Sequence, residues 1–289
     1  MEKSKKRRLE KISCQIRKTA LEATQAAGSG HLGGSFSIAE ILSVLYFDKM
    51  NIDPQNPQMQ KRDRFVISKG HCSPAVYATL AMRGFFPTEH LKTFRKIDSD
   101  LSGHVEMHVP GVDISTGSLG QGLSMALGMA IYSKKKHWEN QIYCILGDGE
   151  IQEGQIWEAV MAAAHFHTDN LIAFVDNNKL QLEGAVEESM NIYPIGDKFR
   201  SFHWNVTEVD GHDVEALSDA IDAASVCKGK PTIIICDSVK GKGVSFMENQ
   251  VRFHGGHPTE SEYAIAYKEL DERIRGLEDE AWEKKYLPE

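Results

Sequence analysis

Gln141-Ile142-Tyr143-Cys144-Ile145-Leu146-Gly147-Asp148-Gly149 is the stretch that decides the fold of this chain. Its apolar centre runs unbroken, as expected of a strand covered on both faces and not of one with a wet side. The run ends at Gly-Asp-Gly, and a helical pattern follows over 153–165. Working outward, the same strand–helix unit recurs. Strands are predicted over 64–68, 141–146, 171–176, 204–209 and 232–239, and helices over 38–47, 74–83, 119–135, 153–165 and 214–228. This alternation predicts an α/β fold, a doubly wound, mostly parallel sheet flanked by helices. In such sheets ligands bind outside the carboxyl ends of the strands, so the loops starting near Ser68, Gly147, Asp176, Asp210 and Ser238 are the candidates for a site.

The remaining composition narrows the class. With 289 residues and 41% hydrophobic content, the chain can bury one large core, and no repeat or linker divides it. It is therefore expected to form a single domain over 1–289, with a charged helical tail from about 262, charge-rich over 270–285. A formal net charge of −8 argues against a nucleic-acid surface. The basic run at 3–8 is expected to be the solvated start of a helix; it is followed by Glu10 and no apolar core, unlike a secretory signal. No apolar run approaches the ~20 residues of a membrane span. Five cysteines, an odd number without a C-x-x-C pair, fit reduced thiols in a cytoplasmic protein.

Asp148 follows an apolar strand directly and stands before a helix N-terminus, a place that favours anions. Glycines on either side let the backbone turn tightly and come close to a ligand. The next strand runs into Asp176-Asn177-Asn178-Lys179-Leu180, which can deliver an amide oxygen and a backbone carbonyl to the same place. One carboxylate with neutral oxygens, completed by phosphate, is how Mg²⁺ is usually held. No Cys/His cluster has zinc spacing, and no G-x-G-x-x-G loop points to a nicotinamide cofactor. Four glycine-flanked histidines, in Ser29-Gly30-His31, Ser68-Lys69-Gly70-His71, Ser102-Gly103-His104 and Arg252-Phe253-His254-Gly255, predict a polar cleft.

Gly147-Asp148-Gly149, Glu153-Gly154 and Asp176-Asn177-Asn178 together resemble the thiamine diphosphate motif of transketolases. The resemblance implies that Asp148, Asn178 and the carbonyl of Leu180 ligate Mg²⁺ or Ca²⁺, that Gly147 and Gly149 lie at the diphosphate, and that Glu153 helps link paired active sites. Ser115-Thr116-Gly117-Ser118-Leu119-Gly120-Gln121-Gly122 is similar to a family loop in which Gly117 and Leu119 touch the aminopyrimidine ring; Ser118 stands where proline is frequent. By the same resemblance His31, His71, His104 and His254 line the funnel for a sugar phosphate. His71 would lie near the diphosphate, and His31 and His254 would exchange protons at the reacting carbonyl. His108, His165, His167, His203 and His257 have no such match and read as structural or solvated.

In this family the glutamate that activates the cofactor comes from a second, pyrimidine-binding domain, and the chain stops soon after the His254 loop. The resemblance therefore implies the N-terminal subunit of a split transketolase. Such a chain would be inactive alone and active with a C-terminal partner of about equal length, in a two-plus-two assembly. Together they would move a two-carbon ketol unit from a ketose phosphate to an aldose. A deoxyxylulose-phosphate synthase type, a 2-oxo-acid dehydrogenase or decarboxylase subunit, and a non-catalytic cofactor-binding module are the alternatives.

Overall fold

The computed structural model describes residues 1–277. All five predicted strands are present: β1 Arg64–Ile67, β2 Ile142–Gly147, β3 Leu171–Asn177, β4 Asn205–Asp210 and β5 Thr232–Asp237. They form one parallel sheet in the order β1-β2-β3-β5-β4. Residues on β2 and β3 alternate strictly between two cores. Tyr143, Ile145, Ile172 and Phe174 enter one layer, and Ile142, Cys144, Leu146, Ala173 and Val175 enter the other. Both faces are thus covered, which is why these strands read as unbroken apolar runs. Edge strand β4 is only half-buried.

Among the described residues ten α-helices surround the sheet: α1 Lys3–Ala27, α2 Leu32–Ser37, α3 Ala39–Val44, α4 Ser73–Arg83, α5 Gly122–Lys135, α6 Gly154–His165, α7 Val186–Met190, α8 Ile195–Ser201, α9 Val214–Val226 and α10 Glu260–Gly276. Helix α1 was legible only at its start. Leu9, Ile12, Ile16, Ala20, Leu21 and Ala23 recur at helical spacing and are buried, and Gly28 closes the helix in the left-handed region. Its basic start is less solvated than expected, because Lys5 pairs with Asp48 and Lys6 with Glu215. The helix predicted over 38–47 is α3 followed by a wider π turn, Leu45–Lys49. Helix α5 starts three residues late, at Gly122, because Gly120 takes a φ of +84° that a helix cannot contain. The charged tail begins as α10, under a Thr259–Glu262 capping box; the part of that prediction beyond 277 lies outside the described residues. No helix among the described residues is long and apolar enough to cross a membrane. All five cysteines are free thiols, four of them buried.

Register places the site. Gly147 lies opposite Asp176, and Asp176 opposite Cys236, so the carboxyl ends of β2, β3 and β5 finish level. The polar side chains of the candidate site stand along that rim.

A polar cleft at the carboxyl edge of the sheet

Asp148 follows β2 and is 3% exposed. One of its oxygens accepts from the Gly149 amide at 2.8 Å and the other from the Lys179 amide. Burial first, and the neighbouring Asp176 carboxylate second, push its pKa up to about 6. The tight turn expected here is present but needs no left-handed glycine: Gly147 ends β2, Asp148 and Gly149 form the turn, and Gly149, at an ordinary φ of −65°, leads into a 3₁₀ turn over Glu150–Gln152. The turn at the end of the strand delivers Asp148.

Asn178 and Leu180 follow β3. Asn178 donates from Nδ2 to Asp176 at 2.8 Å and accepts the Leu180 amide on Oδ1 at 3.2 Å. The Leu180 carbonyl accepts from Lys240 Nζ at 2.8 Å. A carboxylate, an amide oxygen and a carbonyl thus gather on one rim, the hard donor set that Mg²⁺ or Ca²⁺ takes. Among the described residues no three His, Cys, Asp or Glu side chains are arranged to hold a metal by themselves. A cation here would depend on the neutral oxygens.

The hub beneath was not singled out from sequence. Asp176 is fully buried and accepts from Ser37 at 2.6 Å, from Asn178, and from Ser238 and Lys69. Burial raises its pKa, but the Lys69 ammonium together with the Ser238 and Ser37 hydroxyls outweighs burial and holds the carboxyl below its usual range. The only sequence signal was position, since Lys69 and Asp176 close β1 and β3 within motifs noted for their neighbours. Glu150 was also missed. It is 3% exposed and ties three loops, accepting from Ser68 and from the amides of Gly120 and Gly147, each of the last two at 2.9 Å.

The four histidines of the glycine-flanked loops converge. His31 stands between the others, its ring centroid 5.2 Å from His71, 6.3 Å from His104 and 5.8 Å from His254, and His71 stacks on His254 at 5.2 Å. The local backbone requires glycine at position 30: at φ +151° a β-carbon on Gly30 would lie 2.4 Å from Thr24. Burial, then the charges of Arg95 and neighbouring His104, lower the His31 pKa to about 4. Burial and then Lys240 lower His254 to about 4, and burial and then Lys69 hold His71 well below the ordinary value. These three rings are neutral at pH 7, each offering one donor and one acceptor. Lys240 donates to His254 Nδ1 at 3.0 Å, so the hydrogen of that ring sits on Nε2. Burial, with Lys69 beside it, lowers the pKa of Lys240 itself to about 8.

Gly117 faces His104, whose ring would lie 3.2 Å from a β-carbon at that position. With Thr116, Ser118, Gln121 and Met125 it lines an open cavity beside the cleft. Leu119 is 38% exposed nearby. Glu153 is exposed at the N-cap of α6, against Gly120 and without a side-chain capping bond. His108, His167 and His257 instead bond backbone carbonyls, of Asp100, Gly229 and Pro258, and His165 packs edge-on against Phe166.

Known proteins share this arrangement of sequence and fold. A family profile described as "Transketolase, thiamine diphosphate binding domain" matches residues 9–272. The 6-deoxy-6-sulfo-D-fructose transketolase subunit SqwG of Clostridium sp. (strain MSTE9) is 46% identical over 257 residues, 89% of this chain and 94% of that protein. An apulose-4-phosphate transketolase subunit of Phocaeicola vulgatus is 42% identical over 272 residues, 94% of this chain and 97% of that protein. The crystal structure of transketolase from Campylobacter jejuni superposes with a TM-score of 0.86 at 31% identity, over 93% of this chain but 45% of that one. The chain thus spans nearly the full length of separate transketolase subunits and under half of an undivided transketolase. It belongs to the transketolase family, as that family's N-terminal, thiamine diphosphate-binding part.

Proposed function

We propose that this chain is the diphosphate-side subunit of a transketolase, transferring a two-carbon ketol unit from a ketose phosphate to an aldose. It would form one domain of a two-plus-two cytoplasmic assembly, active only with a partner chain that carries the pyrimidine-side half. The observation that carries this reading is the convergence of His31, His71, His104 and His254, joined through Lys240 to the Leu180 carbonyl on the rim that also carries Asp148 and Asn178.

The residues present fit the cofactor and its metal. A buried carboxylate with a pKa near 6 is short of the counter-charge that Mg²⁺ or Ca²⁺ would supply, and Asn178 Oδ1 and the Leu180 carbonyl complete a hard site. Lys240 and His71 would donate to the diphosphate, with the Gly147–Gly149 backbone alongside, and Gly117 and Leu119 would meet the aminopyrimidine ring. Glu153, exposed at the start of α6, is open to a neighbouring chain. When bound, thiamine diphosphate supplies the electron sink for the carbon–carbon bond that breaks.

The chain's own residues would bind, orient and move protons. Neutral His31 and His71, with His104, would bond the hydroxyls of the donor sugar and hold its carbonyl in line. His254 Nε2–H, fixed by Lys240 on the other nitrogen, would donate to the sugar's carbonyl oxygen and recover the proton afterwards, with His31 as its counterpart. A 2-oxo acid would leave most of these donors without a hydroxyl, which favours ketol transfer over the decarboxylase alternatives. The test is co-purification with a candidate partner chain, followed by assays of sugar phosphates with thiamine diphosphate and Mg²⁺. Ketol transfer by the complex and none by the single chain is expected. Robust transfer by the single chain, or a pyruvate requirement with CO₂ release, would overturn the reading.

A further inference from the structure

We propose that His212, in the loop after β4, is a positioning residue for the cofactor-binding edge, acting through the backbone amide of Val239. The proposal rests on the transketolase reading of the cleft. His212 Nε2 accepts the Val239 N–H at 2.9 Å, so that nitrogen carries no hydrogen. Nδ1 carries it and donates to Glu40 Oε2 at 3.0 Å. Glu40, on α3 and 6% exposed, is gripped at both oxygens by Arg17 of α1, at 2.7 and 2.6 Å. Arg17 also donates to the Phe36 carbonyl at 3.1 and 2.9 Å, so its guanidinium is fixed in turn. The His212 amide is bonded to Asp210 at 2.8 Å, which holds the loop itself.

Val239 sits between two residues of the cleft. Ser238 donates to the buried hub Asp176, and Lys240 donates to the Leu180 carbonyl and to His254. The backbone on either side is held by main-chain bonds, Ser238 N–H to the Asn177 carbonyl at 3.2 Å and Asn249 N–H to the Lys240 carbonyl at 2.9 Å, and the Val239 amide between them is held by His212. Arg17 already neutralises Glu40 through two contacts, so the imidazole is not needed to satisfy that carboxylate. What it adds is an acceptor, aimed at the amide between Ser238 and Lys240.

Two near-isosteric variants separate these contacts. His212→Gln can bring an amide oxygen to the place of Nε2 and accept from Val239. His212→Asn reaches only the place of Nδ1, and can donate to Glu40 while leaving Val239 without an acceptor. Calorimetric titration of thiamine diphosphate with Mg²⁺ into the complex of this chain and its partner is the first readout. Hydrogen exchange of the Val239 amide in the chain is the second, and the thermal midpoint is the control for folding. The expected result is that His212→Asn binds the cofactor about tenfold more weakly, as for one lost buried hydrogen bond. Its Val239 amide should exchange faster, while His212→Gln stays close to wild type and both variants melt within a few degrees of it. Equal binding by all three proteins, or a weaker His212→Gln than His212→Asn, overturns the proposal. If the wild-type complex takes up no thiamine diphosphate, the functional reading fails instead. Val239 exchange then decides for the clamp if it quickens in His212→Asn alone, and against it otherwise.

Discussion

Asp113 and Asp148 both bury their carboxylates near a rim of the same sheet, and the fold treats them in opposite ways. Asp113, at the amino end of β1, receives Arg62 at 3.0 and 2.6 Å, Arg64 at 2.9 Å and the Phe65 amide at 2.9 Å. Its charge is answered twice over. Asp148, beyond the carboxyl end of β2, receives two backbone amides, and its pKa rises to about 6. A buried charge that the fold itself neutralises serves the fold, whereas one left short of counter-charge is poised for a ligand. Nearby Asp176 belongs with Asp113: paired with Lys69 and bonded by Ser37 and Asn178, it supports the cleft from below.

The contrast can be broken most sharply at Asp148. Asp148→Ala is expected to cost the reconstituted enzyme about a thousandfold or more in activity, with loss of cofactor binding, while the chain alone melts no lower than wild type. Activity retained at saturating thiamine diphosphate and Mg²⁺ would remove Asp148 from the proposed metal site. Asp113→Ala should do the reverse. Leaving the buried Arg62 and the half-buried Arg64 without this partner is expected to cost about 3–5 kcal/mol in urea denaturation, with no change in the cofactor midpoint of the protein that remains folded.

A smaller effect lies in the pH dependence of the chain alone. His31 and His254 are lowered from 6.5 to about 4 in the folded state, so the stability they contribute is present above pH 6.5 and lost as pH falls through about 4. Asp148 is raised from 3.8 to about 6, so its contribution is present below pH 3.8 and lost as pH rises through about 6. The two slopes oppose each other in one window, and each group is worth about 1–2 kcal/mol after allowance for water in the open cleft. Denaturation of His31→Gln/His254→Gln and of Asp148→Asn across pH 4 to 7 should tilt the profile in opposite directions. The same tilt in both would show that the cleft charges do not set it.

Smallest is Glu150→Gln. The amide keeps the volume but turns one acceptor into a donor facing the Ser68 hydroxyl or a backbone amide, for a loss of about 1–2 kcal/mol in thermal unfolding. No loss would mean that the three loops hold their places without this carboxylate.

Much of this architecture was legible in the chain's own letters. Unbroken apolar runs located the central strands, because a strand buried on both faces tolerates no polar position in its middle. The four histidine loops were legible because glycine beside histidine marks backbone that must bend at a polar surface. The Lys69–Asp176 pair, Glu150 and the Arg17–Glu40–His212 chain were not. Each joins residues far apart in sequence whose side chains carry no periodic or motif signal, and a buried ion pair looks like two ordinary charged residues until packing removes the water. The tight turn at Gly147–Gly149 was legible from its glycines, but not the backbone angles with which it is made. Glycine permits left-handed backbone without requiring it, and here the chain turns at Asp148–Gly149 with Gly149 at an ordinary φ.

The sequence by itself determined the parallel α/β order, the strand ends where a ligand site is expected and the family to which the motifs point, since these depend on local periodicity and short-range spacing. Only the tertiary structure decided that His31, His71, His104 and His254 meet, that Asp148 is short of counter-charge while Asp113 and Asp176 are not, and that His212 reaches Val239. Those facts depend on which loops the sheet brings level and on how much water packing excludes. Both are properties of the assembled fold, and no single segment carries them.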